Sequence, residues 1–166
     1  MTKRLILIRH AKSSWSDPFA DDHARVLNKR GIASARAVGA WLAENDYVPQ
    51  MILCSDSART QETAELIMPY FADRPKLRLS RRLYHAAPDT ILDMLRKETA
   101  AVVAVIGHNP GIGMLANSIV QAPPAHPRFD DYPTCATAVI DFEDSFAGKG
   151  TCVDFTVPRD LIGTTG

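Results

Sequence analysis

Three times this chain runs apolar without alternation and then breaks off at polar residues. The runs are Leu5-Ile6-Leu7-Ile8, Met51-Ile52-Leu53-Cys54 and Ala101-Val102-Val103-Ala104-Val105-Ile106. A short run with no polar alternation reads as a strand covered on both faces, as in a parallel sheet sandwiched by helices. The stretches between them carry helical spacing instead. Asn28 reads as an N-cap, followed by Ile32, Ala35, Val38 and Leu42 at helical intervals. Ser57 caps a second helix that continues to about Met68, where Pro69 ends or kinks it. Pro88-Asp89 starts a third, with Ile91, Leu92 and Leu95 inward, and residues 113–120 form a fourth. Residues 77–79 read as a short strand. Residues 135–142 and 151–157 read as two strands joined by a turn, and Pro158 onward as a tail. The proline-rich residues 121–133 read as an ordered loop or flap. The expectation is a single α/β domain over residues 1–166, with a mostly parallel central sheet, helices on both faces and an antiparallel pair at its end.

Composition excludes more than it selects. The 166 residues carry no formal net charge, which argues against a general nucleic-acid binder. The local basic cluster Arg74, Lys76, Arg78, Arg81 and Arg82 has no interleaved aromatics and reads as a solvated face. No apolar run approaches a membrane span, and the apolar run after Lys3-Arg4 is too short for a signal peptide. The three cysteines, Cys54, Cys135 and Cys152, form no C-x-x-C pair and read as reduced core thiols. A cytoplasmic protein is expected; nothing in the sequence fixes its oligomeric state.

The strand ends carry the chemistry. The first apolar run stops at Arg9-His10, the second leads into Arg59, and the third stops at Gly107-His108. If the strands are parallel neighbours, their carboxyl ends converge on one crevice, where open α/β sheets place ligands. Arg59 would lie in the first turn of a helix, where a cation is unfavourable unless an anion compensates. Two arginines and two histidines in one pocket suit a dianion. Neighbouring cations also keep an imidazole neutral, and so nucleophilic. A second imidazole can stabilise charge on the group in transfer. Phosphoryl transfer through a phosphohistidine fits this set without a metal or cofactor. No H-E-x-x-H or P-loop pattern is present, since the Lys-Ser/Thr of a P-loop does not follow Gly107 to Gly111.

These segments resemble a known family. Arg9-His10-Ala11 is similar to the R-H-G/A signature of the histidine phosphatase superfamily. Residues 55–63, from Ser55 through Arg59 to Thr63, resemble its S-x-x-x-R-x-x-x-T segment, and Gly107-His108 its G-H segment. Asp22-His23-Ala24-Arg25-Val26-Leu27 and the later Tyr132-Pro133-Thr134 resemble the short SixA-like branch, which has a phosphoglycerate-mutase-like fold. The resemblance implies His10 as nucleophile, with Arg9, Arg59 and His108 binding the phosphoryl group. It matches Arg25 to a further pocket arginine. Ser16 lies where mutase-like relatives carry an asparagine.

One departure bears on the substrate. Many relatives carry a glutamate that protonates an alcohol leaving group, but the corresponding residues here are Leu83-Tyr84-His85-Ala86. Asp17, Asp22 and His85 are the candidate substitutes. A missing acid would favour phosphohistidine, whose imidazole leaves readily, over an alkyl phosphate. The expected substrate is therefore a phosphorylated protein or a small phosphoester. A mutase, a non-catalytic phospho-ligand module and, more remotely, a metallohydrolase are the competing readings.

Overall fold

The computed structural model describes residues 2–163, and the three apolar runs lie side by side in it. Six strands form one sheet: β1 (Lys3–Arg9), β2 (Met51–Ser55), β3 (Lys76–Ser80), β4 (Val102–Gly107), β5 (Thr137–Phe142) and β6 (Thr151–Thr156). Their order across the sheet is β3-β2-β4-β1-β5-β6. β1, β2, β3 and β4 run parallel, while β5 is antiparallel to both β1 and β6. Among the described residues five α-helices accompany the sheet: α1 (Lys29–Glu44), α2 (Ala58–Ile67), α3 (Pro88–Arg96), α4 (Gly111–Ile119) and α5 (Pro158–Ile162).

The unbroken apolar runs follow from two cores, one on each face. Ile6, Ile8, Ile52, Cys54 and Ile106 meet Ala35, Val38 and Leu42 of α1 and Ala64 and Ile67 of α2. Leu5, Leu7, Leu53, Val103 and Val105 meet Ile91 and Leu95 of α3 and Ile112 and Leu115 of α4. Every residue of these strand interiors thus faces a helix, so alternation has no function there. The two expected caps form: Asn28 accepts from Gly31 N–H, and Ser57 accepts from Thr60 N–H.

Three boundaries differ from the sequence expectation. α4 begins at Gly111, two residues earlier. Residues 158–162 are not a tail but a short helix whose Leu161 packs beneath α1; the tail beyond Gly163 lies outside the described residues. β5 starts at Thr137 because residues 135–136 instead brace the first strand's end, with Cys135 N–H donating to His10 O and Arg9 N–H to Ala136 O. Residues 121–133 are anchored by Phe129 and Tyr132, both buried in the core. The basic cluster from Arg74 to Arg82 is exposed, as expected. All three cysteines are free, and burial pushes the Cys54 and Cys135 thiols up to about 12. Among the described residues no helix is long and apolar enough to cross a membrane.

Candidate active site

The three neighbouring parallel strands β2, β4 and β1 end on one edge, and a crevice of about 320 Å³ opens there. Arg9, His10, Lys12, Ser13, Trp15, Asp22, Arg25, Arg59, His85, His108, Asn109 and Thr134 line it. The convergence expected from the strand ends therefore occurs. His10 follows β1 directly and His108 follows β4, so parallel pairing of those strands sets their rings 5.3 Å apart.

His10 is fixed on every side. Its N–H donates to Gly107 O and its carbonyl accepts from Cys135 N–H. Ala11 N–H donates to Thr63 Oγ1, whose hydroxyl donates back to Arg59 O. The ring is 7% exposed, with Nδ1 2.7 Å from Ala11 O. A carbonyl can only accept, so Nδ1 carries the proton and Nε2 keeps its lone pair. Arg59 Nε lies 3.4 Å from that Nε2, which agrees with Nε2 as the acceptor. Burial first, and then the guanidinium groups of Arg59, Arg9 and Arg25, lower the His10 pKa to about 4, against one opposing hydrogen bond to Ala11 O.

His108 is 2% exposed and shows the complementary arrangement. Arg59 Nη2 lies 3.3 Å from its Nδ1, and Ser55 Oγ lies 2.8 Å from its Nε2. Since Arg59 can only donate, Nδ1 accepts and Nε2–H donates to Ser55. Burial, followed by the charge of His10 and Arg59, lowers the His108 pKa well below its ordinary value.

Arg59, only 2% exposed at the start of α2, has the compensating anion its position demands. Asp22 supplies it: Arg59 Nη2 donates to Asp22 Oδ2 at 3.0 Å and Nη1 to Asp22 O at 2.5 Å. Asp22 also accepts from Arg25 Nη1 at 3.1 Å, from the Tyr84 hydroxyl, and from His85 Nε2 at 3.0 Å. Partial burial opposes ionisation of Asp22, but the hydrogen bonds from Tyr84, His85 and Arg59 outweigh it and hold the carboxyl far below the usual range.

The other expected residues divide. Arg9 is half-buried, donates to Tyr132 O at 3.3 Å, and has a buried Nε with no hydrogen-bond partner. Arg25 lines the crevice, held by Ser13 Oγ, Ser14 O and Asp22, with its guanidinium 3.2 Å from the Trp15 ring centroid. Ser16 does not reach the crevice; it is exposed and its hydroxyl pairs with Ser14 Oγ at 2.8 Å. Ser13 takes the lining position instead. Asp17 is also outside, accepting from Phe19 N–H. His23 and His126, expected to meet solvent or make local hydrogen bonds, instead reach partners far along the chain, Asp56 and Asp160, each at 2.8 Å.

Ser55 and Asn109 were missed by sequence reasoning. Ser55 ends β2 in line with the other strand ends, a signal that was available. Asn109 follows His108 directly, and its side chain donates to Tyr132 O while accepting from Gly113 N–H. Beside the crevice, sharing Lys12 and Thr134 with it, a cavity of about 150 Å³ is lined by Arg30, Arg128 and Arg159 as well.

Comparison with known proteins gives this geometry a family. The signature of the histidine phosphatase superfamily (branch 1) matches residues 5–83, which hold Arg9, His10 and Arg59. An uncharacterised protein of Mycobacterium tuberculosis strain H37Rv is 32% identical over 92% of this chain and 100% of its own length. Among solved structures, a SixA protein of Agrobacterium tumefaciens, assigned as a phosphohistidine phosphatase, superposes with a TM-score of 0.80. It is 26% identical, over 94% of this chain and 98% of that one. The structure of the protein histidine phosphatase SixA complexed with tungstate superposes with a TM-score of 0.79 at 21% identity, over 95% of this chain and 99% of that one. A phosphoglycerate mutase of Plasmodium falciparum shares the fold with a TM-score of 0.65 at 22% identity, over 93% and 91% of the two chains. Two facing imidazoles among buried guanidinium groups, on a fold shared with these enzymes, lead to one conclusion: the chain belongs to the histidine phosphatase superfamily and is a phosphohydrolase.

Proposed function

We propose that the crevice removes phosphoryl groups through a phosphohistidine on His10, without a metal, and that its substrate is phosphohistidine in a protein. The observation that carries this reading is the His10 ring. Its proton is committed to Ala11 O, so Nε2 is unprotonated, with its lone pair turned toward Arg59 Nε. Arg9, Arg25 and Arg59 would share the three equatorial oxygens of the phosphoryl group. The unpartnered buried Nε of Arg9 supports that use. Such a cationic lining attracts a dianion and repels a divalent metal.

In the first step the Nε2–P bond forms as the bond from phosphorus to the leaving nitrogen breaks. The electron pair goes to that nitrogen, and a phosphohistidine whose other ring nitrogen carries a proton leaves as neutral imidazole. His108 Nδ1, facing Arg59, would take a proton from solvent as the dianion arrives and through it donate a hydrogen bond to a phosphoryl oxygen. In the second step water attacks phosphorus as the P–N bond breaks, the electron pair returns to His10 Nε2, and the water's proton leaves with the phosphate. Ser16 has no part in this scheme. Asp22, held as a carboxylate, has no proton to give.

Likeness to the Agrobacterium SixA protein supports the substrate class. So does the cationic cavity lined by Lys12, Arg30, Arg128 and Arg159, which suits an acidic surface around a phosphorylated residue. The test is a panel of a phosphohistidine protein, sugar phosphates and nucleotides, with trapping of an acid-labile phosphoenzyme. The expected result is preference for the phosphohistidine protein, unaffected by chelators. His10→Ala is expected to lose both the trapped intermediate and at least about 10³-fold in turnover. Full activity in that variant would overturn the reading.

A further inference from the structure

We infer that His85, seated on Asp22, is a proton donor at the mouth of the crevice, and that the protein therefore also hydrolyses phosphomonoesters of unactivated alcohols. This inference rests on the phosphatase reading above and extends its substrate class.

Position is the first argument. His85 lines the crevice although its side chain is 49% exposed, and its ring centroid lies 4.8 Å from that of His108. A donor to a leaving group must sit at this outer rim, on the far side of phosphorus from the nucleophile. Its backbone is left-handed, with φ 51, a conformation uncommon for a residue other than glycine and often found where a site imposes it. The next residue is braced as well. Gly111 packs so closely on Ala86 that a Cβ there would lie 1.9 Å from the Ala86 carbonyl oxygen. The His85 loop and the His108 loop are therefore locked together by backbone contact.

Pairing is the second argument. Nε2 of His85 is 3.0 Å from Asp22 Oδ2, whereas Nδ1 has no hydrogen-bond partner among the described residues. Asp22 Oδ2 stands between His85 and the charge of Arg59, since it also accepts from Arg59 Nη2. With Nε2 held by the carboxylate, Nδ1 is the ring nitrogen left to donate to a leaving group. The carboxylate itself is no donor, because Arg25, Arg59, Tyr84 and His85 all hold it ionised.

The proton cycle closes. As the P–O bond of an ester breaks and the His10–P bond forms, the electron pair goes to the alcohol oxygen, which takes the proton from His85 Nδ1. In hydrolysis of the phosphoenzyme, the now neutral Nδ1 takes a proton from the attacking water. The P–N electron pair returns to His10, and His85 is again an imidazolium. No co-reactant beyond water is needed.

The discriminating measurement is kcat/KM against phosphomonoesters of increasing leaving-group pKa, from p-nitrophenyl phosphate to an alkyl phosphate. Wild type, His85→Gln, Tyr84→Phe and His10→Ala are compared. His85→Gln is expected to lose about 10²-fold on the alkyl phosphate and less than about 3-fold on p-nitrophenyl phosphate, which needs no proton. Equal losses on both substrates would overturn the inference. So would a selective loss in Tyr84→Phe instead, which would assign the proton to the tyrosine. Wild type that cleaves a phosphohistidine protein but no alkyl phosphate would end the inference while sparing the phosphatase reading. Activity surviving in His10→Ala would instead strike at that reading.

Discussion

The two buried imidazoles make the site sensitive to acid before any substrate binds. The pKa of His10 is lowered to about 4 and that of His108 is lowered too, so the folded chain refuses protons that the unfolded chain accepts near 6.5. Their contribution to stability is therefore fully present above about pH 6.5 and is lost as pH falls toward 4. Each histidine can contribute up to about 1.4 kcal/mol per pH unit in that window. Urea melts at a series of pH values are expected to show this slope, and His10→Asn to reduce it. Ser55 is the second residue to test. Ser55→Ala leaves the buried His108 Nε2–H without an acceptor, at a cost of about 1–3 kcal/mol. If His108 acts as proposed, its misplaced ring should lower kcat by about 10- to 100-fold, with a smaller change in KM. At this scale the sequence revealed residues that end strands: Arg9, His10 and His108 stand where an apolar run stops. It did not reveal which side chain holds which. Asp22 serves Arg59, thirty-seven positions away, through a loop whose path no local pattern records. Ser16 sits close to His10 in the chain yet faces solvent, because Ser13 and Arg25 take the inner side of that loop.

Helix placement depends on contacts that a methyl group would break. Gly31, in the first turn of α1, packs on the loop after His10, and a Cβ there would lie 2.1 Å from Lys12 O. Asn28 N–H donates to that same carbonyl. Gly31→Ala is expected to push α1 off the loop, costing about 1–3 kcal/mol and lowering phosphatase activity along with the melting temperature. A melting temperature within a degree of wild type would contradict this account. The longer elements were legible because they carry period and caps together: α1 shows both Asn28 and the Ile32-to-Leu42 spacing. α5 was not, since five residues are too few to display a period and one apolar pair, Leu161-Ile162, does not distinguish a helix from a tail. Leu77 and Leu79 were placed in a strand correctly, but they lie on the sheet's edge and are 38% and 44% exposed.

Taken whole, the molecule is neutral yet its charge is unevenly spread. Lys12, Arg30, Arg128 and Arg159 surround the cavity beside the crevice, and among the described residues only Arg128 has a carboxylate partner, Asp131. Raising ionic strength from about 0.01 M to about 0.15 M shortens the screening length from about 30 Å to about 8 Å. KM for a phosphohistidine peptide with acidic flanking residues is expected to rise several-fold over that range, and KM for phosphoramidate to rise less. Equal salt dependence would remove the cavity from substrate recognition. The strand order β3-β2-β4-β1-β5-β6 has a further consequence. The strands that deliver the site occupy the middle, with β3 on one flank and the β5–β6 pair on the other. Fraying begins at margins, so β6 can open while the histidines stay seated, whereas β3 leads directly into the loop that holds Tyr84 and His85 on Asp22. The β6 border of the sheet is thus expendable in a way its centre is not. A label or a graft at the hairpin between β5 and β6 should report on the enzyme without disturbing its chemistry.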